Sequence, residues 1–153
     1  MAEVTALEAH LRAARDRGRK LLVPYVTGGL GDDWTEVVRA FAAAGADAIE
    51  VGIPFSDPVM DGPTIQEASE VALAQGANLG GLLTELRDVD AGVPIVAMTY
   101  VNLVFHAGYE RFAAEAVQAQ IAGVILPDLP MEEVGEWQPH GDAAGPENLR
   151  RML

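Results

Sequence analysis

Residues 49–66 read Ile49-Glu50-Val51-Gly52-Ile53-Pro54-Phe55-Ser56-Asp57-Pro58-Val59-Met60-Asp61-Gly62-Pro63-Thr64-Ile65-Gln66. The stretch opens on a strand, predicted over Ala48 to Ile53. A two-residue period puts Ile49, Val51 and Ile53 on one face and Ala48, Glu50 and Gly52 on the other. A carboxylate on an otherwise apolar strand is costly to bury unpaired, so Glu50 is a candidate for chemistry as much as for structure. The loop that follows, Pro54 to Pro63, holds three prolines around Ser56, Asp57 and Asp61. Prolines restrict the backbone and hold the acids near the strand's end. Pro63 suits the first position of a helix carrying Ile65, Ala68 and Ala72 and stopping near Gly76.

Outward from this stretch the chain alternates. Val4, Leu7, Leu11 and Ala14 recur at helical spacing and predict an amphipathic N-terminal helix ending near Gly18. Leu21 to Thr27 reads as a first strand and Gly28, Gly29 and Gly31 as a loop. Asp33 and Glu36 have capping-box spacing before a helix with Trp34, Val37, Val38 and Phe41 on one face. Gly45 suits the position after that helix. Asn78 can cap a helix carrying Leu79, Leu82, Leu83 and Leu86. Pro94 to Thr99 predicts a third strand, Tyr109 to Ala116 the next helix, Gly123 to Leu126 a fourth strand, and Pro130 to Glu133 a further helix start. The segments 44–49 and 121–125 echo one another weakly, each a helix end, a small-residue turn and a strand.

One helix followed by four rounds of strand and helix specifies an α/β protein with parallel strands. Both a barrel and a flavodoxin-like open sheet give this order. In a barrel the branched face of the Ala48–Ile53 strand meets the outer helices, and Glu50 points inward near the C-terminal end, where barrels carry their catalytic groups. Partial desolvation there raises a carboxyl pKa and lets it act as a proton donor. Asp61, just before a helix start, is favoured as an anion. Each residue also has a plain structural reading: Asp61 as turn residue or N-cap, Asp57 before Pro58 as a turn, and Tyr100, Asn102 and Asp128 as loop or capping residues. His10, His106 and His140 show no ligand spacing. Gly28-Gly29-Leu30-Gly31 lacks the Gly-Lys-Ser/Thr of a P-loop.

Composition narrows the classes. The 153 residues suffice for one domain, half of them are hydrophobic, and the formal net charge is −13. So acidic a chain is a poor partner for nucleic acid or for an anionic membrane. No apolar run approaches the roughly 20 residues of a membrane span, and the N-terminus lacks a signal core. With no cysteine there is no disulfide, thiolate metal site or catalytic thiol. A cytoplasmic location is expected. Asp57 and Asp61 alone give weak grounds for a metal site, and none is assigned.

The string from Ile49 to Gln66 resembles the signature of tryptophan synthase α subunits. Pro24-Tyr25-Val26-Thr27-Gly28-Gly29, Met98-Thr99-Tyr100-Val101-Asn102 with Gly108, and Leu126-Pro127-Asp128-Leu129-Pro130 with Glu132 and Glu133 agree in order and spacing. The likeness covers roughly residues 20 to 134. It implies a (β/α)8 TIM barrel and a lyase that splits indole-3-glycerol phosphate into indole and glyceraldehyde 3-phosphate for tryptophan biosynthesis. By the same resemblance Glu50 and Asp61 match the catalytic pair, and Tyr25, Tyr100 and Ile125 match indole-pocket positions. The loop around Asp57 lies where the family meets its β subunit. No cofactor is implied on this chain; pyridoxal phosphate is expected on the β subunit alone.

A full barrel takes about 250 residues, and four strands are read here. Residues 1–134 are expected to form the N-terminal half of a TIM-barrel domain and 135–153 a divergent polar tail. The later strands and phosphate-binding loops are not found, and unpaired strand edges invite self-association. Two alternatives stand beside the lyase: a catalytically inactive half-barrel that binds the β subunit, and a free-standing indole-3-glycerol phosphate lyase.

Overall fold

The structure, a computed structural model, describes residues 6–133 together with Gly135 and Pro139. Val4 of the expected N-terminal helix and most of the expected tail lie outside these residues. Four parallel strands stand in chain order, β1 (Tyr25–Thr27), β2 (Ile49–Gly52), β3 (Ile95–Met98) and β4 (Ile121–Ile125). Helix α1 (Ala6–Asp16) precedes β1, and α2 (Trp34–Ala43) links β1 to β2. Helices α3 (Pro63–Ala74) and α4 (Leu79–Leu86) link β2 to β3, and α5 (Val101–Ala107) and α6 (Tyr109–Gln118) link β3 to β4. A 3-10 turn at Met131–Glu133 stands where the further helix was expected to start. Among the described residues no helix is long and apolar enough to cross a membrane.

The strand alternation divides the core in two. Ile49 and Val51 of β2, Ile95 and Ala97 of β3, and Ile121 and Val124 of β4 pack against Trp34, Val38, Leu82, Leu83, Leu86, Phe112 and Ala116 of the helices. This is the large outer layer, and its apolar burial stabilises the fold. On the opposite face Ala48 and Val96 pack with Leu7 of α1, and Leu11, Ala122 and Ile125 join them. The two faces agree with the periodicity of residues 48–53.

Three sequence expectations are corrected. The first strand is shorter than Leu21 to Thr27 because Pro24 has no N–H for the ladder, and Leu21, Leu22 and Val23 remain exposed. The segment still runs beside β2, held by buried Asp47. The Asp47 amide donates to the Leu22 carbonyl at 2.8 Å. Its carboxylate accepts the Leu22 N–H at 2.9 Å and pairs with Arg19 at 3.0 Å. The fourth strand starts at Ile121 rather than Gly123, and the register slips between Ile95 and Val96 so that Val96 faces Gly123. The Asp33–Glu36 capping box does not form: Asp33 occupies the N-cap of α2, but its side chain makes no capping bond, and Glu36 pairs with Arg39 instead. Asn78 does cap α4, accepting the Gly81 N–H at 2.9 Å. Gly45 follows α2 with φ +97°, as its expected place at the helix end requires.

Candidate active site

Parallel register brings the inner-face residues into rows. Tyr25 lies beside Glu50 and Glu50 beside Val96. One step toward the C-terminal end, Thr27, Gly52, Met98 and Ile125 form the next row. Residues side by side in a parallel sheet face the same way, so Tyr25, Glu50 and Ile125 share the inner face. Gly52 is what lets Tyr25 lie across this surface, since a Cβ built on it would overlap the Tyr25 phenol oxygen.

The electrostatics follow from this placement. The Glu50 carboxyl is held above the ordinary carboxylate value, first by burial and then by the negative charge of Asp61. Burial also raises the Tyr25 phenol, the Thr27 hydroxyl partly offsets this, and the charges of Asp61 and Glu50 add to the rise. Each anion near a second anion is costlier to form. The group therefore joins two carboxyl side chains, one of them with its proton affinity raised, and phenols on one surface.

Asp61 reaches this surface through its loop. It does not cap α3, whose N-cap is Gly62, with Pro63 in the first turn as expected. Instead its Oδ2 accepts the Tyr100 hydroxyl at 2.9 Å. That hydroxyl in turn accepts the Met60 N–H at 3.0 Å. The Gln66 side chain donates to the Asp61 carbonyl at 2.9 Å, and the rings of Phe55 and Tyr100 stack with centroids 4.9 Å apart. Phe55, Met60 and Gln66 were not singled out from the sequence. Gln66 reaches back only five residues, from the first turns of α3 to the loop before it, a local contact that no sequence pattern marks.

The remaining candidates separate. Asp128 has a structural task, its Oδ1 accepting the Val101 N–H at the start of α5 at 2.9 Å. The Asp57 carbonyl closes a turn onto the Val59 N–H at 2.9 Å, and its side chain is exposed. Asn102, His10 and His106 are exposed, and His140 lies outside the described residues. Two grooves of about 220 and 230 Å³ lie elsewhere, the first between the Gly29–Trp34 loop and α4, the second beside His10 and Gln120. Among the described residues no three His, Cys, Asp or Glu side chains come together as a metal site.

The sequence model of the family described as tryptophan synthase alpha chain matches residues 11–148. The chain belongs to the tryptophan synthase alpha chain family. The match continues past residue 134, into the segment read as a tail. The alpha chain of Streptomyces coelicolor is 42% identical over 151 residues, covering 93% of this chain and 54% of that protein. The alpha chain of Xanthomonas axonopodis pv. citri is 48% identical over 143 residues, covering 89% and 52%. Among solved structures, tryptophan synthase of M. tuberculosis in an open form superposes with a TM-score of 0.90 at 34% identity, over 98% of this chain and 60% of that one. The alpha subunit from Legionella pneumophila gives 0.83 at 35% identity, over 97% and 58%. This chain thus spans about half the length of the curated alpha chains it matches. Its four parallel strands are the corresponding part of the family's TIM barrel, and the open-sheet alternative falls.

Proposed function

We propose that this chain carries the catalytic half of an alpha-chain lyase site, for retro-aldol cleavage of indole-3-glycerol phosphate to indole and glyceraldehyde 3-phosphate. The observation that supports it most is a half-buried Glu50 whose proton affinity is raised by burial and by the charge of Asp61 beside it. In this reading the Glu50 carboxyl protonates the indole ring at C3. The Asp61 carboxylate accepts the indole N–H and stabilises the positive charge that develops on the ring. Loss of the glycerol hydroxyl proton to Glu50 then drives the break of the bond between C3 and the glycerol carbon. The bonding pair returns to the ring, so indole and an aldehyde leave with no redox change. Tyr25, Tyr100 and Ile125 line the place of the indole.

The partner in this reading is a tryptophan synthase β subunit, which carries the pyridoxal phosphate. Asp57, Val59 and Met60 after β2 and Phe105 after β3 present an exposed, partly apolar surface at the C-terminal side of the sheet, a composition suited to docking. The same surface supports a second reading, a binding half-barrel without turnover.

The experiment is indole release from indole-3-glycerol phosphate by the purified chain, with and without a β subunit. Turnover that falls by about 10²–10⁴ in Glu50→Gln supports the lyase. Binding to the β subunit without turnover, lost in Phe105→Asp, favours the docking half-barrel. Neither turnover nor binding from a folded chain overturns both readings for these 153 residues.

A further inference from the structure

Asp61 sits in a loop between β2 and α3, and a loop carboxylate has many places to point. Its neighbours leave it one. Tyr100 stands two residues past β3, is buried, and brings a single hydroxyl to the loop. That oxygen takes the Met60 N–H at 3.0 Å. Occupied on that side by a donor, the hydroxyl has its one proton left to give, and Asp61 Oδ2 is the acceptor at 2.9 Å. The amide therefore sets the direction of the O–H. The phenol is pushed up to about 12, chiefly by burial, so it keeps that proton throughout the neutral range. Phe55, from the same loop, stacks on the Tyr100 ring with an interplanar angle of 28°. Asp61 Oδ1 accepts no hydrogen bond from any described residue, and the Gln66 amide fixes the Asp61 main chain.

We propose that Tyr100 is the positioning residue of Asp61: its hydroxyl latches the loop to the end of β3 and commits one carboxylate oxygen, leaving the other for substrate. This gives Tyr100 a task beyond lining the pocket. The catalytic part rests on the lyase reading above; the latch does not.

Tyr100→Phe keeps the stacked ring and removes only the hydroxyl. The Met60 amide, having lost its acceptor, is expected to exchange hydrogen at least about tenfold faster. In the same variant kcat for indole-3-glycerol phosphate is expected to fall about tenfold to hundredfold, with KM changed far less. In an Asp61→Asn background, removing the Tyr100 hydroxyl is expected to cost little further, because a residue that acts through Asp61 has nothing left to position. Unchanged Met60 exchange in a folded Tyr100→Phe protein overturns the latch. Equal losses with and without Asp61 overturn its action through that carboxylate. If the wild-type chain turns over no substrate, the lyase reading fails for this chain, and Met60 exchange still decides the latch.

Discussion

Glu50 stands in a strand of alkyl neighbours, and burial together with Asp61 raises its proton affinity. A carboxyl whose folded pKa is raised contributes stability that is fully present below the unfolded value, near pH 4, and is lost as pH rises through the folded value. Glu50→Gln removes that loss. Its melting temperature is expected to exceed the wild type's at pH 7, and the gap to close below about pH 4, in thermal melts across pH. A gap that widens toward acid would mean Glu50 is stabilised as an anion. Gly52→Ala forces the Tyr25 ring off the inner face and is expected to cost about 1–3 kcal/mol in chemical denaturation. Removing the ring in the Gly52→Ala/Tyr25→Ala double variant should cost less than the two single changes summed, because the clash is then gone. Glu50 and Asp61 were legible in the sequence, one as a lone charge on an apolar strand, the other by its place before Pro63. The Tyr100 contact with Asp61 was not, because 39 residues separate the partners and no local pattern joins them.

At the scale of elements, local chemistry decided what could be foreseen. The Leu79–Leu86 helix and its Asn78 cap depend on neighbouring residues alone and appear as the pattern indicates. Helix α5 was not foreseen. Its seven residues are too few for a clear period, and its first N–H is satisfied by Asp128 from beyond β4. The Asp33–Glu36 box is lost because Asp33 takes φ −103° and ψ 11° rather than the extended N-cap geometry, and its carbonyl, not its carboxylate, accepts the Glu36 N–H. The two echoing segments carry a further difference. Two residues past α2 stands Gly45, whereas the same place after α6 is taken by Gln120 at φ 58°. That left-handed conformation costs a non-glycine residue about 1–2 kcal/mol, partly regained when glycine gives up its extra chain freedom. Gln120→Gly is therefore expected to stabilise the protein by about 0.5–1 kcal/mol, read as a higher denaturant midpoint with an unchanged slope.

Across the whole molecule, β1 pairs only with β2 and β4 only with β3 among the described residues. Open parallel edges beside exposed Leu21, Leu22 and Val23 favour further strand pairing, while a net charge of −13 on each copy opposes it. Salt weakens that repulsion. Sedimentation of the purified chain is expected to show association that grows with ionic strength; a monomer at every salt and protein concentration would contradict it. Helix α1 bears on the molecule in another way. Leu7 packs against Val96, in the same row as Glu50, and against Ala48, one row beneath it. The inner face therefore has a floor. From the N-terminal side of the sheet Glu50 is covered by α1, so the approaches that the described residues leave are the strand ends, where Asp61 and Tyr100 stand, and the open span between β1 and β4.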